Sequence, residues 1–65
     1  MNTKYSGMTV NERLFEANLM SEFDEAAKNR DKTKMIEVLL KVELSKSQAE
    51  ETSQAIINKP SMYGY

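Results

Sequence analysis

The chain has 65 residues, 40% of them hydrophobic and 29% charged, with no Cys, no His and a net charge of −1. That is the composition of one folded domain, too short for two cores and without the ligands of a disulfide or of the usual zinc site. So short a chain buries only about 60% of its unfolded surface, so its stability must come from close helix packing or from self-association.

The near-neutral total disfavours general nucleic-acid affinity, yet the charge is uneven along the chain. Residues 1–27 hold Lys4 and Arg13 against Glu12, Glu16, Glu22, Asp24 and Glu25. Residues 28–46 reverse this, with Lys28, Arg30, Lys32, Lys34, Lys41 and Lys46 against Asp31, Glu37 and Glu43. Met1 to Val10 has no apolar core of the signal-peptide kind, and Val38-Leu39-Leu40 is far too short to cross a bilayer. The expectation is a cytoplasmic protein with no membrane segment.

Residues 1–8 carry Ser6-Gly7 and no periodicity and read as a flexible lead, in which Met8 is an alternative start. Thr9-Val10-Asn11-Glu12 has the form of a capping box, with the Thr9 hydroxyl accepting from the Glu12 amide and the carboxylate reaching back. Arg13 would make a poor hydrophobic staple beside it. A first helix, roughly 10–17, follows with Val10, Leu14 and Ala17 on one side and Phe15 beside them. Asn18 tolerates the left-handed conformation that ends many helices. Ser21 then reads as a second cap for a helix of roughly 21–30, with Glu22, Asp24 and Glu25 at its start, Lys28 and Arg30 at its end, and an Asp24–Lys28 pair. Whether these two helices are separate or one bent helix is left open by the sequence.

Asp31 is a good cap for a third helix, roughly 32–43. Met35, Ile36, Leu39, Leu40 and Val42 recur at helical spacing, and Val38 widens the stripe. So broad an apolar surface marks the centre of the fold. Ser45 with Gln48, or Ser47 with Glu50, opens a fourth helix, roughly 46–58, turning Ala49, Thr52, Ala55 and Ile56 inward. Pro60 ends it, and Ser61 to Tyr65 form an aromatic tail. The fold class is therefore all-α, a compact bundle of about four short helices over 9–60. Leu39→Asp is expected to unfold it, because it puts an unpaired charge at the centre.

Thr9-Val10-Asn11-Glu12-Arg13-Leu14-Phe15, Phe23-Asp24-Glu25-Ala26-Ala27, Met35-Ile36 with Leu39-Leu40, and Asn58-Lys59-Pro60 with Tyr63-Gly64 resemble a group of small uncharacterised bacterial all-helical proteins. The resemblance runs from Thr9 onward and rests on capping and core patterns. It implies a compact helical bacterial protein with no assigned activity to carry over. Asn18 stands where such proteins would carry glycine.

No catalytic, cofactor or metal residues stand out. Without His or Cys no nucleophile has its usual base, and Lys46 beside Ser47 lies on an exposed helix start. The glycines, Gly7 and Gly64, cannot form a phosphate loop, no Ca²⁺ loop is present, and the acids around Glu22 fit a helix first turn. The expectation is a non-enzyme.

Two surfaces remain. The third-helix stripe, through Met35 and Leu39, looks larger than so few helices can cover, and with Met62, Tyr63 and Tyr65 it forms a candidate protein interface. The tail also reads as a cover for the gap left by two short helices. Lys28, Arg30, Lys32 and Lys34 form a basic corner at a helix start, a candidate anion or nucleic-acid site. The favoured reading of this run is that Lys28 and Arg30 answer the helix dipole and the other lysines are solvated, since the third helix lacks the side chains that contact base edges. The favoured reading is a protein-interaction or accessory module with a protein partner or as a homodimer. The alternative is anion or nucleic-acid binding at the basic corner.

Overall fold

The computed structural model describes residues 5–65, and the expectation of a flexible lead over residues 1–4 lies outside them. Four α-helices follow in order, α1 Val10–Glu16, α2 Met20–Lys28, α3 Lys32–Lys41 and α4 Lys46–Asn58, with a 3-10 turn at Pro60–Tyr63. The all-helical bundle expected from the sequence is the fold observed, and α1 and α2 are separate helices.

The helix starts follow local chemistry. At α1 the Glu12 amide donates to Thr9 Oγ1 at 3.2 Å and the Thr9 amide to Glu12 Oε1 at 2.8 Å. That backbone hydrogen bond holds the Glu12 carboxyl below its ordinary range. Asp31 caps α3 by accepting from the Lys34 amide at 3.2 Å. Ser45 and Gln48 close the second capping box, at 3.1 and 3.0 Å, and so start α4.

The expected cap at Ser21 is not the start of α2. That helix begins at Met20 after Leu19, without a side-chain cap. The reason lies in the preceding turn, where Asn18 takes a φ of 61° and the chain re-enters helical geometry at once. The Leu19 amide donates back to Leu14 at 2.8 Å and the Asn18 amide to Phe15 at 3.1 Å. This is the paired hydrogen-bond pattern of a Schellman end, in which a left-handed residue closes the helix.

The same device recurs along the chain. After α2, Arg30 (φ 56°) is left-handed, with Asp31 donating to Ala26 at 2.9 Å and Arg30 to Ala27 at 3.1 Å. After α3, Glu43 (φ 69°) is left-handed, with Leu44 donating to Leu39 at 3.3 Å and Glu43 to Leu40 at 3.1 Å. Arg30 and Glu43 thus lie just beyond their helices rather than inside them, as the expected ranges had it. The last turn repeats the pattern with a glycine, Gly64 at φ 87° and Tyr65 donating to Pro60 at 2.9 Å.

α3 is the centre of the bundle, packed chiefly on α4 and next on α2. Met35, Val38 and Leu39 of α3 and Val42 beyond it are fully buried with Leu14, Ala27 and Ala49. Removing each of these Met, Val and Leu side chains from water contributes about 1.5–3 kcal/mol. Met35 and Leu39 are therefore core residues and present nothing to a partner, a correction to the expected interface. α2 and α4 cover the stripe from two sides, and Leu40 alone of its residues stays substantially exposed, at 43%. The radius of gyration is 11.1 Å, about the 11 Å that a single folded chain of this length requires.

The N-terminal segment is also tied down more than a lead would be. Tyr5 is buried, and Met8 packs on the core with its amide donating to the Tyr5 carbonyl at 3.0 Å. Arg13, unsuited to a staple, performs another task. Its guanidinium donates to the Met8 carbonyl at 3.1 Å and to the Val42 carbonyl at 3.0 Å, and lies 6.0 Å from the Tyr5 ring centre. One side chain thereby joins the N-terminal segment to the end of α3.

Candidate interaction surface

An open cleft of about 720 Å³ lies between the start of α1 and the C-terminal turn. Val10 and Asn11 form one wall, and Met62, Tyr63 and Tyr65 form the other. Phe23 of α2 and Glu51, Thr52, Ala55 and Ile56 of α4 line it between them. The walls stand where they do because Pro60 stops α4 and starts the 3-10 turn, which throws Met62 outward before Gly64 reverses the chain.

Tyr65 anchors this reversal. Its hydroxyl donates to the Asp24 carboxylate of α2, and its ring packs partly on the core. Burial and then the Asp24 contact push the phenol well above its ordinary range. Asp24 therefore serves the tail, and no ion pair with Lys28 forms among the described residues. Of the tail residues expected at an interface, Tyr65 is spent on this anchor. Met62 and Tyr63 remain outside the core, at 71% and 49% exposure.

Phe15 is more exposed still, at 77%, and the sequence did not single it out. It borders a shallow depression with Met8, Asn11 and Met20, and Asn11 also lines the larger cleft. The two apolar regions thus meet around the outer side of α1. The signal was present in the spacing, since Phe15 follows buried Leu14 directly and so cannot share its face.

The basic corner is drawn into the fold's own contacts. Arg30 folds back to donate to the Ala27 and Lys28 carbonyls, at 2.8 and 3.3 Å, and so neutralises the end of α2. Lys32 donates to Gln54 of α4 at 2.9 Å, and Lys34 lies 3.8 Å from the Glu22 carboxylate. Lys41 shares that carboxylate at 3.7 Å. Asp31 occupies the α3 terminus that an incoming anion would need. Only Lys28 of the four is without such a contact among the described residues.

Among the described residues no group of acids is placed to hold a metal ion, and no helix is long and apolar enough to cross a membrane. No family model, curated protein or solved structure matches the chain. The surface must therefore be read from its own chemistry.

Proposed function

We propose that this chain is a small protein-interaction or accessory module, without catalytic activity, that engages a partner through the cleft at its C-terminal turn. The observation that carries this reading is that Met62 and Tyr63 are held outside the core beside an apolar cleft. Interface centres are enriched in such residues, which bring large contact area and, for Tyr, a polar tip. A core this small gains from every apolar side chain it can bury, so two left out beside a cleft point to a use elsewhere. The engagement of Arg30, Lys32 and Lys34 in contacts within the fold weighs against the anion-binding alternative.

The test is affinity capture from an extract of the native host at low and moderate salt, comparing the chain with a Met62→Ser/Tyr63→Ser variant. The expected result is a protein held at moderate salt by the parent chain and lost by the variant. A partner held equally by both chains removes the cleft from the interface. Nucleic acid recovered at low salt alone moves the function to the basic corner, because phosphate contacts weaken steeply with salt.

A further inference from the structure

The flank of α4 that lines the cleft carries a symmetric arrangement of charge. Glu51 stands four residues before Ala55 within α4, and Lys59, the residue that caps the helix, stands four after it, its amide still donating to the Ala55 carbonyl at 3.1 Å, so the three α-carbons follow one side of the helix to its end. Glu51 and Ala55 line the cleft, and Glu51 and Lys59 are exposed. Neither belongs to an ion pair among the described residues, where Glu22 takes both of the lysines that find a carboxylate.

Building on the interaction reading above, we propose that the cleft's partner is a second copy of this chain, docked with the two α4 helices antiparallel about a two-fold axis at Ala55. An antiparallel pair with its axis at one residue sets positions equally far before and after that residue opposite each other. Glu51 of one copy then faces the partner's Lys59, and the reverse pair follows by symmetry. A parallel pairing would set Glu51 against Glu51 and Lys59 against Lys59, so the charges select the orientation. At the axis itself the methyl of Ala55 allows the two helices to approach closely.

The apolar surface fits the same arrangement. An isologous contact needs a protruding and a receiving surface on one patch, because each copy must supply both. Met62 and Tyr63 protrude beside the cleft that would receive their counterparts. A net charge of −1 adds little repulsion between two copies.

The experiment is sedimentation equilibrium of the full chain over a wide concentration range. The parent chain is expected to dimerise. Glu51→Lys and Lys59→Glu should each weaken dimerisation roughly tenfold, because each change converts both symmetry-related pairs to repulsions. Mixing the two variants in equal amounts should restore association near the parent's, as a heterodimer with both pairs attractive. Both positions are exposed, so unchanged circular dichroism and melting temperature check that each variant is folded. A parent chain that stays monomeric at its highest soluble concentration overturns the second copy as occupant, as does a dimer indifferent to both reversals or a mixture that does not recover. None of these results removes the interaction reading, which fails separately if the Met62→Ser/Tyr63→Ser variant still holds the captured partner.

Discussion

Met35 and Leu39 on α3 and Met62 and Tyr63 in the C-terminal turn are large apolar residues that the sequence assigned to one interface. In the fold they part company: the α3 pair is fully buried, while Met62 and Tyr63 stay 71% and 49% exposed. The difference is one of place along the chain. α3 has a helix before it and a helix after it that can fold onto its two sides. The turn at 60–63 packs on α4, and Tyr65 reaches past it to Asp24 without covering Met62 or Tyr63. Apolar content shows that a surface should be covered, and the elements flanking it decide whether the chain itself can do so.

The largest test of this contrast is Leu39→Asp. An unpaired carboxylate at a fully buried site costs several kcal/mol, comparable to the whole stability of so small a domain, so helical circular dichroism should be lost. A cooperative melt like the parent's would show that the centre lies elsewhere. Ser53→Ala sharpens the inner side of the comparison. Ser53 is fully buried on α4 with its hydroxyl unpartnered, so its removal should raise stability by about 1 kcal/mol in urea titrations. A loss of stability instead would mean that the hydroxyl is solvated and the core less dry than its burial implies.

Tyr65→Phe acts at the tail's anchor and should lower stability by up to about 1 kcal/mol, since the hydrogen bond is only partly buried. Its pH dependence has a definite sign. The fold raises the Tyr65 pKa and so favours the protonated phenol. The stabilisation is complete below the ordinary phenol range, near about 10, and fades as pH rises from there through the higher native value. The stability gap between the parent and Tyr65→Phe should therefore narrow in alkali, and a gap constant with pH would reassign the effect to packing.

Glu43→Gly should stabilise by a few tenths to about 1 kcal/mol. It relieves a left-handed glutamate, although the greater freedom of the unfolded glycine offsets part of the gain. A destabilised variant would show that the Glu43 side chain contributes to the fold. The smallest effect belongs to Met62→Ser with Tyr63→Ser, expected to stay within about 0.5 kcal/mol of the parent. A melting temperature well below the parent's would make the turn part of the core and dissolve the contrast with α3.

What could be read in advance follows the range of each interaction. The starts of α1, α3 and α4 were legible because Thr9-Glu12, Asp31 and Ser45-Gln48 act within three residues of themselves. Asn18 was legible as a helix end because Asn visits left-handed geometry more readily than most residues. Arg30 and Glu43 carry no such signal, so the helices they close were expected to run on through them. The role of Arg13 was hidden for another reason, since its contact at Val42 spans 29 residues. At the candidate surface the exposed tail residues were legible by type, whereas the separation of Tyr65 from Met62 and Tyr63 depended on Asp24, 41 residues away from Tyr65.

The repeated left-handed helix ends bear on how quickly the chain finds its fold. Each reversal is closed by hydrogen bonds between residues no more than five apart, as in Leu19 to Leu14 and Leu44 to Leu39. The corners of the bundle can therefore form before any distant contact is made, with little loop entropy lost in the search. Chains whose topology is written so locally have low contact order, and they reach the native state on the order of microseconds to milliseconds.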